Sequence, residues 1–255
     1  MQDHPRRAAL ITGGAVRVGR AISLALAAAG YDVAIHTRTA GPEVHTFAAE
    51  LTAGGVRSGI VTGDLSQLDC VGRIISAAAA KVGRLTLLVN NASEFESDAF
   101  GQLDLGRWQR QFAVNLAAPV FLAQAFAAQA PAGGDASIVN ITDQRARKLV
   151  PQHFSYTLTK AALHSATVMM AQALAPRIRV NAVAPGPTLP SPRQDETAFA
   201  RQAAALPLQR AASPQEIAAA VLYLASAGSV TGETITVDGG QHVAWKTPDV
   251  WGIDE

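Results

Sequence analysis

A doubly wound parallel α/β sheet in a single domain is the fold the sequence predicts, and three observations predict it. Short β-rich runs alternate along the chain with alanine-rich segments long enough for helices. The runs are apolar throughout rather than alternating, as strands covered by helices on both faces require. The 255 residues, 49% hydrophobic and 16% charged, match one large domain with ample length to bury a core. Parallel neighbours need crossovers, and the intervening segments supply helical ones.

Taken in order, "AALIT" is the first strand and "TGGAVRVGR" the glycine-rich turn that leads into a helix. "DVAIHT", "SGIVTG", "LTLLVNN", "ASIVNIT" and "IRVNAVAP" are the further strands of a sheet expected to hold about seven. "PGPTLPSPRQDE" (185–196) has four prolines, which exclude regular helix, and it follows a strand end, where such sheets place ligands. The segment 185–212 is therefore read as a substrate loop. In "SPQE", Ser213 is placed to be a helix N-cap, Pro214 the first helical residue and Glu216 the reciprocal partner of a capping box. No repeat, linker or change of composition divides the chain, so 1–255 is expected to be one domain.

The formal net charge is +1 and no run of like charge is visible, so no nucleic-acid partner is expected. The lone cysteine, Cys70, allows no internal disulfide, and the N-terminal apolar run is too short and glycine-broken for a signal peptide. A cytoplasmic location is expected. No stretch reaches the roughly 18 uncharged apolar residues of a membrane span, so no membrane is expected either. No metal site is expected. The partners left are small molecules.

A strand, a glycine turn and a helix in succession form the context in which backbone N–H groups hold a pyrophosphate, as in Rossmann-type folds. The same pattern also serves an ordinary strand-to-helix turn in which Gly13 and Gly14 adopt positive φ. Arg17 stands where a further glycine would let the backbone approach a phosphate. It adds a permanent charge and a planar fork able to reach a ligand oxygen. The strand "DVAIHT" ends without the acidic residue that binds a ribose 2′-hydroxyl. His36, Arg38 and Thr39 stand there instead, and Arg38 is suited to pair with a 2′-phosphate, which points to NADP(H).

"YTLTK" sets Tyr156 and Lys160 four apart, on one face of a helix. An ammonium near a phenol lowers its pKa from about 10 and eases proton donation. Chance alone would produce that spacing in roughly 5% of such chains, so the pair by itself decides little. The joint order of the pieces decides more. "TGGAVRVG", "GDLS", "NNAS", "FAVNLAAP", "YTLTK" and "VNAVAPGPT" together resemble the short-chain dehydrogenase/reductase family over nearly the whole chain. The resemblance implies that Tyr156 is the general acid, that Lys160 holds the nicotinamide ribose and that Asn115 anchors a water relay. It places Gly13, Arg17, Val18, Asp64, Leu65, Asn91, Ala92, Ser93, Pro185, Gly186 and Thr188 along the dinucleotide, beside His36, Arg38, Thr39, Tyr156 and Lys160.

One position departs from the family pattern. Asp143 stands thirteen residues before Tyr156, where a serine normally donates to a substrate carbonyl. An ionised aspartate only accepts hydrogen bonds and would repel the oxyanion of a ketone reduction. It favours a substrate with N–H donors or a ring nitrogen that gains a proton, and it helps keep the tyrosine protonated. Arg17, Ser93, Phe95 and Asp143 together resemble the pteridine reductase branch, which includes dihydromonapterin and alternative dihydrofolate reductases. That resemblance implies an NADPH-dependent reductase of a pterin or folate C=N bond. The pterin would lie between the nicotinamide and Phe95, bound by Arg17 and Ser93, with Asp143 working beside Tyr156. A carbonyl or 3-oxoacyl reductase, and a non-catalytic NADP(H) sensor, stay open as alternatives at this stage. The tail 241–255 carries Trp245 and Trp251 and is expected to dock, at a subunit interface or on its own surface. The family implies a homotetramer.

Overall fold

The computed structural model describes residues 7–130, 133, 135–191 and 194–245. The chain runs β1 (Ala8–Thr12), α1 (Arg17–Ala28), β2 (Asp32–Thr37), α2 (Pro42–Ala53), β3 (Ser58–Thr62), α3 (Val71–Val82) and β4 (Leu87–Asn90). It continues α4 (Leu105–Phe112), α5 (Ala118–Gln129), β5 (Ala136–Ile141), α6 (Phe154–Leu174), β6 (Ile178–Pro185), α7 (Glu196–Ala204), α8 (Pro214–Ser226) and β7 (Thr234–Val237). The seven strands form one sheet in the order β3-β2-β1-β4-β5-β6-β7, and every pairing is parallel.

The apolar strands are explained by two cores, one on each face. Leu10, Leu88, Ile138 and Val180 are register partners across the sheet and pack with Ile74 of α3 and Leu122 and Phe126 of α5. The neighbours Ile11, Val89 and Val139 point to the opposite face, against Ile22 and Leu26 of α1 and Ile217 and Val221 of α8. Burying each such side chain contributes about 1.5–3 kcal/mol, so continuous apolar runs are what a sheet covered twice selects.

After β3 the chain returns to place β4 on the free side of β1, and the loops leaving β1 and β4 diverge into a crevice. The Thr12 hydroxyl oxygen accepts the N–H groups of both Asn91 and Ala92 at 2.9 Å, tying the two loops together. Such a switch point is where open α/β sheets hold ligands.

The capping box at α8 forms as the sequence predicts. Ser213 Oγ accepts the Glu216 N–H, the Glu216 carboxylate accepts the Ser213 N–H, and Pro214 opens the helix. Arg210 and the Ser213 N–H hold Glu216 down to about 2. Replacing Ser213 with alanine is expected to cost about 1 kcal/mol, measured by chemical denaturation.

One expectation needs correction. The segment 185–212 is not a loop throughout, since α7 occupies Glu196–Ala204 with Asp195 as its N-cap, accepting the Ala198 N–H at 2.6 Å. The alanine-rich stretch after the prolines is free to be helical once capped. The span from Leu105 to Gln129 is, by length and composition, apolar enough to cross a membrane, though Arg107 and Arg110 stand near its start. Half of its apolar window is buried within the fold, Leu122 and Phe126 against the sheet. In the tail, Gln241–Val243 form a short 3-10 turn, Lys148 Nζ donates to the Ala244 carbonyl and Trp245 is exposed. Trp251 and the rest of the tail lie outside the described residues.

Candidate active site

A cavity of about 940 Å³ occupies the crevice, and its lining includes Gly13, His36, Tyr156 and Gln241. Its floor is the glycine loop. Gly13 has φ +62°, and a Cβ at Gly19 would fall 2.1 Å from the Gly13 carbonyl oxygen, so the loop and α1 approach as only glycine permits. Val16, at the N-cap of α1, offers no side-chain hydrogen bond and the first turn holds no acidic residue. That leaves α1's first N–H groups for an anion. Asn91 spends its amide on the loop itself, donating to the carbonyls of Thr12 (2.9 Å) and Gly13 (3.3 Å). Ala92 and the half-buried Val18 line the wall beside it.

Arg17 adopts φ +51°, the left-handed region that a glycine would enter freely. The substitution therefore keeps the glycine's backbone path and adds a side chain. The guanidinium crosses the cavity and donates to the carbonyls of Leu189 (3.3 Å) and Pro190 (3.1 Å) in the loop after β6. Gly186 fixes the base of that loop, because a Cβ there would meet Asp238 Cα at 2.7 Å. Thr188 donates to the Gly186 carbonyl at 3.0 Å, and Pro185 ends β6 beside it.

At the far end, His36 is buried and donates Nε2–H to the Gly63 carbonyl at 3.1 Å. Burial lowers its pKa to about 4, so the ring is neutral near pH 7 and brings no charge to a phosphate. Its Nδ1 is a buried acceptor without a partner among the described residues. Arg38 and Thr39 are exposed at the rim. A network missed by the sequence reading runs behind them. Glu94 Oε1 takes Arg110 Nε and Nη2 at 2.8 and 2.7 Å and Arg38 Nη1 at 3.7 Å. Arg110 also faces Asp64 at 3.6 Å. The Ser66 N–H, with Arg110 beside it, holds Asp64 below the usual carboxylate range. Leu65 is buried under this end.

The reacting end is built on β5, α6 and the helix carrying Asn115. Both Tyr156 and Lys160 are buried on α6. Tyr156 Oη donates to Asp143 Oδ2 at 2.9 Å, and Lys160 Nζ donates to the Ile141 carbonyl at 2.8 Å. Asp143 is held by the Arg145 N–H (2.8 Å to Oδ1) and faces Arg145 Nη1 at 3.5 Å. Asn115 sits in a π-helical turn, Ala113–Ala117, a widening common at functional sites. Its amide is clamped by the Glu94 backbone, accepting N–H at 2.8 Å and donating to the carbonyl at 2.9 Å. Ser93 Oγ and Thr159 Oγ1 complete its partners.

Burial and the Asp143 charge push the Tyr156 phenol well above its ordinary value. The expected lowering by lysine is thus corrected: Lys160 turns to Ile141, while the carboxylate bonds the phenol directly. Desolvation lowers Lys160 itself to about 8. Phe95 stacks on His153 at 4.4 Å, meets the Tyr156 ring edge-on at 4.7 Å and lies 5.7 Å from the Arg145 guanidinium carbon. Nothing in the spacing of the sequence marks His153, Arg145 or Glu94, which act through long-range packing.

A switch-point crevice that joins a glycine cradle to a buried Tyr–Lys–Asn set defines a Rossmann-type oxidoreductase. The model of the enoyl-(acyl carrier protein) reductase family matches residues 14–242. The crystal structure of FolM alternative dihydrofolate reductase 1 from Brucella canis, complexed with NADP, is 47% identical, with TM-score 0.91. The match covers 96% of this chain and 98% of that one. Its counterpart from Brucella suis, also with NADP, is 48% identical with TM-score 0.92 over the same shares. An uncharacterised oxidoreductase of Mycobacterium tuberculosis is 35% identical over 92% of this chain and 91% of its own. The chain belongs to the short-chain dehydrogenase/reductase family, in its pteridine reductase-like branch.

Proposed function

We propose that the protein is an NADPH-dependent reductase of a dihydropteridine C=N bond, yielding the tetrahydro form of a dihydromonapterin, dihydrobiopterin or dihydrofolate. The observation that carries this reading is the Tyr156 hydroxyl donating to Asp143 at 2.9 Å. A carboxylate beside the proton donor repels a developing oxyanion but accepts from ring N–H groups. The carbonyl or 3-oxoacyl alternative needs Asn91 or Ser93 as its donor and is disfavoured because Asn91 donates to the Thr12 and Gly13 carbonyls and the Ser93 proton goes to Asn115 at 3.1 Å, which leaves the Ser93 oxygen only to accept, as from a ring N–H. The sensor alternative gives no reason for a buried proton donor set against an acid.

The glycine cradle that excludes a Cβ at Gly19, the uncapped start of α1 and the exposed Arg38 fit the pyrophosphate and 2′-phosphate of NADPH. When bound there, the cofactor supplies the hydride. Gly13, Arg17, Val18, Asn91 and Ala92 shape its phosphate end, and His36, Arg38, Thr39, Asp64 and Leu65 its adenosine end. Pro185, Gly186 and Thr188 close over the nicotinamide side, with Lys160 toward the ribose. Asn115 anchors the water relay. Ser93, Phe95 and Arg17 hold the pterin, whose ring packs on Phe95.

The proton for the ring nitrogen is held on the Tyr156 hydroxyl, bonded to Asp143 at 2.9 Å, and comes either from Tyr156 directly or by way of Asp143 and a water. The loop from Pro185 contacts the ring's substituent. A homotetramer belongs to this reading, supported by exposed Phe121 on α5 and Val168 and Met169 on α6; sedimentation checks it.

The test is NADPH oxidation with dihydropterins, dihydrofolate and simple ketones, in wild type and Asp143→Ser. Wild type should turn over dihydropterins, and Asp143→Ser should lose that activity. Rapid ketone turnover by wild type without pterin activity overturns the proposal. Arg38→Ala should raise KM for NADPH roughly tenfold or more and narrow the preference over NADH.

A further inference from the structure

The helix that carries Tyr156 is capped from outside its own chain segment. α6 follows His153, which lies in the left-handed region at φ +52°, and its first turn holds no acidic residue. The anion that suits a helix N-terminus comes instead from Asp98, 57 residues before Ser155, in the loop after β4. Its carboxylate accepts the Ser155 N–H at 3.2 Å and also the Ser155 hydroxyl. Ser155 is fully buried and immediately precedes Tyr156. Two further contacts fasten the same loop to the same helix start. Ala99 pairs with Gln152 in an isolated antiparallel bridge, and the Phe100 ring lies 5.5 Å from that of Phe154. The other end of the loop clamps Asn115 through the Glu94 backbone and sets Phe95 against the Tyr156 ring at 4.7 Å.

We propose that Asp98 is a positioning residue that fixes the Tyr156 hydroxyl in its donor geometry. The proposal rests on Tyr156 as the proton donor of the dihydropteridine reading. Asp98 is not among the residues that line the cavity, so it acts through Ser155 and not on the reacting atoms. An ordinary cap is local and ties a helix to the residue before it. This one ties the helix to the loop that carries Phe95 and clamps Asn115. One short loop thus sets the phenol, the ring-binding side chain and the relay amide relative to one another. With both the N–H and the hydroxyl of Ser155 held, the first turn of α6 has little freedom to rotate or slide. The 2.9 Å bond from Tyr156 to Asp143 requires that restraint, since a hydrogen bond weakens steeply once its angle is lost. A misplacement of about 1 Å costs a reacting group on the order of 10²-fold in rate.

The experiment is single-turnover NADPH oxidation with dihydrobiopterin in wild type, Asp98→Ala, Tyr156→Phe and the double variant. Asp98→Ala should slow the chemical step by about 10- to 100-fold, while NADPH affinity, read by quenching of protein fluorescence, changes by less than about twofold. Asp98→Asn, whose amide oxygen can still accept the Ser155 N–H, should fall between wild type and the alanine variant. The double variant decides. A residue that acts by placing the Tyr156 hydroxyl has nothing to place once that hydroxyl is gone, so Asp98→Ala should add less than about twofold to the loss in Tyr156→Phe. An equal loss in both backgrounds, or NADPH affinity that falls in step with the rate, makes Asp98 a structural cap only and overturns the proposal while leaving the pterin reading in place. No turnover by wild type, or a Tyr156→Phe rate within about tenfold of wild type, removes the proposal together with the reading beneath it. If Asp98→Ala does not fold, Ser155→Ala, which loses the hydroxyl bond alone, takes its place in the same cycle.

Discussion

Tyr156→Phe is expected to lower kcat by about 10²–10⁴-fold while NADPH affinity changes less than twofold. The substitution removes one oxygen from a buried ring and leaves its packing against Phe95 intact. That oxygen donates to Asp143 at 2.9 Å and also meets the Ser93 hydroxyl. Asp143 keeps the Arg145 N–H and guanidinium when it is gone, so the fold should persist. What disappears is the proton held beside the substrate. Because burial and Asp143 raise the phenol well above its ordinary value, Tyr156 stays protonated as pH rises through the neutral range. Its ionisation should therefore contribute no alkaline limb below pH 10. Single-turnover NADPH oxidation measures the chemical step, and quenching of protein fluorescence measures cofactor binding. A variant within tenfold of wild type would remove Tyr156 from the proton path.

The parts of this site that were legible in the sequence are those built by neighbours along the chain. The glycine loop, its strand and its helix lie within residues 8–28, and the Tyr156–Lys160 face follows from helical period alone. Asp143 was legible as a departure, since a carboxylate changes the chemistry wherever the rest of the pattern holds. The active-site arginines were legible only by type. Sequence places Arg17 in the loop, but its φ of +51° and its reach of 172 residues to Leu189 are products of folding. Glu94 and Arg110 lie 16 residues apart and meet because α4 and the loop after β4 are brought together. The expected action of Lys160 on Tyr156 failed for a similar reason. Spacing shows that the two share a helix face, but not that the Ile141 carbonyl will hold the ammonium.

Lys160→Met should separate stability from activity in opposite directions. In the folded chain, desolvation lowers Lys160 from 10.5 to about 8, and Asp143 offsets only part of that. A fall of that size corresponds to about 3 kcal/mol spent on burying the ammonium at pH 7. Methionine removes the charge and keeps the volume. It also strips the Ile141 carbonyl of one donor, worth about 1 kcal/mol, so a net gain of about 1–3 kcal/mol in unfolding free energy is expected. The sign is fixed by the direction of the shift. Below pH 8 both folded and unfolded wild type carry the proton and the penalty is complete. Between 8 and 10.5 the unfolded chain binds more protons, so wild-type stability rises with pH and the gap to the variant closes. Activity should move the other way, with kcat/KM down roughly 10²-fold, since the buried ammonium is a fixed positive charge 5.7 Å from the Tyr156 ring. Denaturant unfolding at pH 7 and pH 10 measures the first effect and steady-state kinetics the second. A variant less stable than wild type at pH 7, or a gap that widens with pH, would show that the lysine is buried without penalty. The charge would then have to be stabilised by the site itself, and the cost of holding a catalytic cation in a dry cleft would have to lie elsewhere in the fold.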